Sequence, residues 1–319
     1  LDDHSIAIHE DRIIDILPTE SARKSYAASV EHEYRQHALI PGLINAHTHT
    51  SMSLFRGLAD DLPLMTWLNE HIWPAEQRWV GEQFISDGTR LALAEMIRGG
   101  TTCFNDMYFF PDSTIEVCRE AGMRVCAGIT IIEMASSWAT GVGEYIEKGL
   151  ALRDRWKDDP LVGFALAPHS PYTVSDDAMD QIAGLSGELD LRVHMHVLET
   201  EWELKQSYQQ HDSHPLARLR RHGLLNERLS AVHMTQLRET DIEAVAESGA
   251  SVVHCPQSNL KLASGFCPVA DLVEAGVNVA LGTDSRASNP DLSLLEEMKF
   301  VYRQGAALAP HTLLQLATQ

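Results

Sequence analysis

A chain of 319 residues suits one large α/β domain, or one domain with a small appendage, and an apolar fraction of 44% allows a sizeable core. The 25 basic and 45 acidic residues leave a net charge of −20, which argues against nucleic acid and anionic membrane surfaces as partners, because both reward positive charge. The five cysteines, Cys103, Cys118, Cys126, Cys255 and Cys267, are odd in number and form no CxxC pair, so a reducing cytoplasm is expected rather than a disulfide framework. No apolar run is long enough to span a bilayer and no signal-peptide pattern opens the chain.

In chain order, "HSIAIHEDRIIDILP" reads as two short strands around the turn-forming "HED", a β-hairpin. The charged stretch "ESARKSYAASVEHEYRQ" that follows is compatible with a helix. Then a rhythm begins, in which short apolar runs close on polar residues and give way to amphipathic stretches. The runs are "ALIPGLINAHTHT", "TTCFNDMYF", "RVCAGITII", "VGFALAPHSPY", "RVHMHVLET", "LSAVHMTQ", "ASVVHCPQSN" and "NVALGTDS". Between them lie "SDGTRLALAEMIRGG", "DSTIEVCREAGM" and "DIEAVAESGA", which run into glycine as helix C-termini do. Eight strand–helix units predict an α/β fold, a (β/α)8 TIM-like barrel over residues 41–319. A doubly wound open sheet is the rival. The nearest approach to its phosphate turn, "GVGEYI", lacks the third glycine and follows no clear strand.

Active sites of such barrels lie at the carboxyl ends of the strands. Those ends carry His47 and His49 on the first strand, Asn105 and Asp106 on the second and His169 on the fourth. His194, His196 and Glu199 follow on the fifth, His233 on the sixth, His254 on the seventh and Asp284 on the eighth. Alternate residues of a strand share a face, about 6.5–7 Å apart, so His47 and His49 point one way. Core histidines placed independently would not gather at one rim, and the pattern points to a divalent metal with N/O ligands. His194 and His196 share a face, so spacing does not choose between them. Asp284 could instead cap the next helix, but its arrival at the same rim as the histidines favours the ligand role. The predicted strands contain no lysine to bridge two ions, which favours one metal. HExxH, GxSxG, Walker and PCxxC patterns are all absent.

"PGLINAHTHTSMSLFRGLADDLPLMTWLNEHIWPAE", "HSPYTVSDD", "HMHVLETEWE", "HCPQSNLKLASGFCPV" and "LGTDSRASNPDLSLLEEM" together resemble the amidohydrolase superfamily. Within it they are similar to the branch of methylthioadenosine/S-adenosylhomocysteine deaminases and triazine hydrolases. The resemblance implies one divalent metal, Zn2+, on His47, His49, His196 and Asp284. It implies that His233 orients the attacking water, that Glu199 transfers a proton to the ring nitrogen and that Asp284 accepts the water's proton. Glu76, in "IWPAEQR", and His169 are implied to lie against the substrate. For Glu76, a solvated acid in the first turn after Pro74 is an equal alternative. It further implies homo-oligomers by analogy, and a small β-sandwich built from both termini. Residues 1–40 are then expected to be a partial sandwich segment whose C-terminal partner strands are absent, as in a truncated chain.

Two departures bear on the substrate. Relatives that act on S-adenosylhomocysteine use arginines after the third strand for its carboxylate, and residues 131–152 offer none before Arg153. "GTDSRASNP" places Arg286 beside Asp284, where a surface ion pair is expected ahead of a grip on an anionic substrate. The expected function is hydrolytic deamination of an adenine nucleoside such as 5′-methylthioadenosine or S-adenosylhomocysteine, a small-molecule substrate. The same chemistry on guanine, a pterin or a triazine is the alternative. A non-catalytic metal-binding barrel is the alternative from another class, and Glu199 argues against it, because a binder needs no proton shuttle.

Overall fold

The computed structural model describes residues 2–305 and 308–319, and the chain forms two compact units, Leu1–Pro41 and Gly42–Gln319. In the first, strand β1 (His4–His9) pairs antiparallel with β2 (Arg12–Pro18), as the alternation on either side of "HED" predicts. The charged stretch after it is helical only over Thr19–Ser25, and from Tyr26 to Pro41 the backbone is irregular and exposed. Short helices are marginal in water without a surface to pack on, and these residues bury nothing.

The second unit is a barrel of eight parallel strands in chain order. They are β3 (Leu43–Thr48), β4 (Thr101–Tyr108), β5 (Arg124–Ile131), β6 (Val162–Pro168), β7 (Arg192–Val197), β8 (Leu229–His233), β9 (Ser251–His254) and β10 (Val279–Leu281). The barrel nearly closes where the last strand returns to the first. Thr48 bridges Asp284 in parallel, and the Asp284 N–H donates to the His47 carbonyl at 3.0 Å. Strands covered on both faces read as unbroken apolar runs. Accordingly Ile129, Ile131, Leu166, Val193, Met195, Leu229 and Val252 are buried in one continuous core with the flanking helices. The helices Pro111–Ala121 and Glu239–Ser248 end on Gly122 and Gly249, each in the left-handed region that an end cap needs. Among the described residues no helix is long and apolar enough to cross a membrane.

Closure of the barrel places one glycine under steric constraint. A Cβ at Gly282 would lie 2.9 Å from both N and Cβ of His47 and 3.1 Å from the sulfur of Cys255. Gly282→Ala is expected to cost about 1–3 kcal/mol through overpacking, and to displace His47 with it. A fall in the thermal midpoint accompanied by weaker binding of a divalent metal is the expected result; a variant with both unchanged would show that the close approach is not needed.

Candidate metal centre and active site

At the carboxyl rim the side chains predicted from the strand ends come together. His47 Nε2 lies 3.2 Å from His196 Nε2 and 3.4 Å from Asp284 Oδ1, and His49 Nε2 lies 3.3 Å from the same oxygen. The other ring nitrogens are engaged elsewhere. His196 Nδ1 donates to the His169 carbonyl at 2.7 Å, and His49 Nδ1 donates to the Met107 carbonyl. A carbonyl only accepts, so both rings carry their proton on Nδ1 and turn an Nε2 lone pair to the centre. His47 Nδ1 lies 2.8 Å from His194 Nε2. The Asn105 amide nitrogen is 3.2 Å from His194 Nδ1, while Asn105 Oδ1 is buried without a partner. With that amide turned over, Oδ1 accepts from His194, His194 accepts from His47, and His47 Nε2 is also left to the centre.

Asp284 Oδ2 accepts from the hydroxyls of Ser258 at 2.5 Å and Ser288 at 3.0 Å, leaving Oδ1 to the imidazoles. Burial alone would raise this carboxyl, but its contacts with the imidazoles around it hold it well below the usual carboxylate range. Burial pushes His47 down to about 4 and His196 well below its ordinary value, so these rings are neutral at pH 7. His47, His49 and Asp284 form one group whose donor atoms could share an ion, and His196 adjoins it through His47. Neutral nitrogen lone pairs and an ionised oxygen are donors that a divalent cation such as zinc takes. Without a cation, facing lone pairs merely repel.

Glu199 follows β7 and is buried, its carboxyl raised by desolvation against the lowering influence of His233. Its Oε2 is 3.6 Å from His233 Nε2, and its Oε1 accepts from the Ser264 hydroxyl at 3.1 Å. His233 donates from Nδ1 to Asn259 Oδ1 at 2.7 Å, which aims Nε2 into the site. Together His47, His196 and His233 also form a second group whose nitrogens could share an ion. Leu198, His233, Met234 and Asp284 all have left-handed backbone, with φ of 52°, 77°, 47° and 58°. Such residues cost about 1–3 kcal/mol each and gather at functional sites.

A cleft opens above these groups, and Glu76, His169, Tyr172 and Ser285 line it. Its far wall is apolar, from Met52, Leu64, Trp67, Leu68 and Leu262, and none of its lining residues is a lysine or arginine. Part of that wall is a π-helical turn, Leu68–Ile72, a geometry common at functional sites. Glu76 accepts from the Tyr108 hydroxyl at 2.6 Å, and burial pushes its carboxyl up to about 7. The solvated-acid alternative for Glu76 does not describe this contact. His169 is pushed down to about 3 by burial and then by the neighbouring imidazoles.

Other strand-end residues lie elsewhere. Asp106 accepts from the Thr50 N–H at 2.8 Å and the Thr48 hydroxyl at 3.0 Å, bracing the loop that carries His49. His254 is buried beside Asn259, 3.5 Å from its amide, and is outside the cleft lining. Arg286 turns to Glu95 at 3.1 Å and is also outside the lining; the expected ion pair forms, but partly buried rather than on the surface. Sequence reasoning passed over Ser258, Asn259, Ser264 and Ser288, which orient the reacting groups, and Tyr108. All but Tyr108 stand within the stretches that carry the family resemblance, and Tyr108 ends a predicted strand; small polar residues there were the available signal.

The amidohydrolase family model matches residues 38–319. The chain is 46% identical over 323 residues to the 5-methylthioadenosine/S-adenosylhomocysteine deaminase of Teredinibacter turnerae, covering 99% of this chain and 73% of that protein. It is 42% identical over 295 residues to the 5′-deoxyadenosine deaminase of Methanothermobacter thermautotrophicus, covering 92% and 68%. Among solved structures, an adenosine deaminase from Xanthomonas campestris with bound zinc superposes with a TM-score of 0.96 at 47% identity, covering 100% of this chain and 74% of that one. With the family model spanning the whole barrel and the donor set standing at the barrel's rim, the chain belongs to the amidohydrolase family.

Proposed function

We propose that the protein is a metal-dependent hydrolytic deaminase of an adenine nucleoside with an uncharged 5′ substituent, 5′-methylthioadenosine or a 5′-deoxy analogue. The observation that carries this reading is the convergence of three imidazole nitrogens and one carboxylate oxygen beside a buried carboxyl, Glu199. The names of the relatives support the nucleoside. S-Adenosylhomocysteine fits less well, because its carboxylate would meet no cationic side chain in the cleft lining.

His47, His49 and His196 through Nε2, with Asp284 through Oδ1, would hold one divalent metal. Zinc is favoured by the N/O donor set and by the zinc of the Xanthomonas protein. When bound, the metal acidifies a water and orients it for attack on the ring carbon that bears the amine. Asp284, held ionised, accepts the proton that the water gives up. His233 presents Nε2 to the same space and holds the water there. Glu199, raised by burial, delivers a proton to the ring nitrogen beside the reacting carbon. Asp284 returns its proton to the amine, the new hydroxyl gives its proton back to Glu199 as the carbonyl forms, and the carbon–nitrogen bond breaks with loss of ammonia. Glu76, oriented by Tyr108, accepts from the ribose hydroxyls, and His169 lies against the ring.

Three outcomes are expected. Ammonia release by the zinc-loaded protein should be fastest with 5′-methylthioadenosine or 5′-deoxyadenosine and weaker with S-adenosylhomocysteine; activity confined to guanine or an aminotriazine would keep the chemistry and reject the nucleoside. Glu199→Gln should retain metal and lose about 10²–10⁴-fold in kcat, whereas His196→Ala should lose metal; equal metal loss in both, measured by elemental analysis, would end that division of labour. Because Glu76 titrates near 7, it is ionised above that pH and neutral below. Affinity for the ribose should therefore rise with pH between 6 and 8, roughly one unit either side of the midpoint. Glu76→Gln should flatten the limb and raise KM about 10–100-fold; an unchanged profile would remove Glu76 from the substrate.

A further inference from the structure

Glu203 is a buried acid that makes no ion pair among the described residues. Such a group is costly to bury, and its two oxygens go to two backbone amides. Oε1 accepts from the Leu198 N–H at 2.9 Å and Oε2 from the Glu199 N–H at 3.0 Å. Glu203 stands at the third position of the helix Glu201–His211, capped by Thr200. A capping box would return its carboxylate to the Thr200 N–H. Instead it reaches one and two residues further back, to the left-handed Leu198 and to Glu199 itself.

The carbonyls of the same two residues are held from the opposite side. The Leu198 carbonyl accepts from the N–H of Thr235 at 3.0 Å and of Gln236 at 3.1 Å. The Glu199 carbonyl accepts from the Thr235 hydroxyl at 2.6 Å. Gln236 Nε2 in turn donates to the Ser264 carbonyl at 2.7 Å, and the Ser264 hydroxyl donates to the Glu199 carboxylate. The four backbone polar groups of residues 198 and 199 are thus all engaged, in a circuit that returns to the side chain it orients. A strained backbone persists only where its surroundings over-determine it, and proton transfer needs its donor within hydrogen-bond reach of the acceptor.

We propose that Glu203 is a positioning residue for Glu199, acting through the main chain of residues 198 and 199; this rests on the proton-transfer role given to Glu199 above. The test is a double-mutant cycle in the zinc-loaded full chain. Glu203→Gln keeps the shape but puts an amide N–H where an acceptor is needed. It should lower kcat about 10–100-fold, since small misplacements of a reacting group cost that much. KM and zinc stoichiometry should stay within about twofold, and amide hydrogen exchange should quicken at residues 198 and 199. In a Glu199→Gln background the same substitution should change the residual kcat by less than about twofold, because coupled residues are not additive. An equal kcat loss in both backgrounds, loss of zinc, or unchanged exchange at 198 and 199 would each overturn the proposal. If Glu199→Gln alone proved fully active, the proton-transfer role itself would fall, and Glu203 with it. Should Glu203→Gln not fold, Thr235→Val cuts the same hold from the carbonyl side and is read through the same cycle.

Discussion

The site depends on where two imidazole protons are kept. His49 and His196 commit their Nδ1 protons to the carbonyls of Met107 and His169, which can only accept. Their Nε2 lone pairs therefore face inward, toward His47 and an Asp284 oxygen spared from its two serine partners. Burial removes the water that would otherwise solvate these acceptors and keeps the rings of His47 and His196 neutral. A cation relieves what is otherwise a crowd of unshared electron pairs, so the centre is shaped for metal before any metal binds.

The barrel makes this arrangement affordable by spreading it over several strands. The contributing strands offer their side chains at the carboxyl ends, His47 and His49 on β3, His196 on β7, His233 on β8 and Asp284 just after β10, and the apolar packing below is left undisturbed. The strain is concentrated where chain direction changes. Leu198, His233, Met234 and Asp284 hold left-handed backbone, and hydrogen bonds from neighbouring loops brace them. Closure at Gly282 serves the same end, because it sets His47 against the last strand. Above this layer the cleft changes character. Glu76 and Tyr108 supply a polar edge, and the segment around the π-helical turn supplies an apolar wall without a cation.

Much of this was legible in the residues. Parallel strands buried on both faces announce themselves as apolar runs, and each of the eight runs became a strand. The histidines and acids at their ends became one rim, because the fold puts every carboxyl end on the same side. The reading failed where local pattern does not carry the answer. A helix continuing through Tyr26 and beyond needs a surface to pack on, which the pattern cannot supply. His194 and His196 share a strand face, and only their depth in the barrel separates the one behind His47 from the one beside it. Ser258, Ser264 and Asn259 look like ordinary loop residues until the groups that they touch are brought to them from other strands.

The sequence by itself determined the barrel, its family and the residues able to bind a metal or move a proton, because periodicity and residue chemistry are local properties. Only the tertiary structure decided which nitrogen of each histidine faces the centre and that Arg286 belongs to Glu95. It alone decided that Glu76 leans on Tyr108 and that Glu203 reaches back to Glu199. Each of these is a contact, most of them between residues far apart in the chain. Which groups meet is set by how the strands and loops close on one another, and that geometry is a property of the whole barrel.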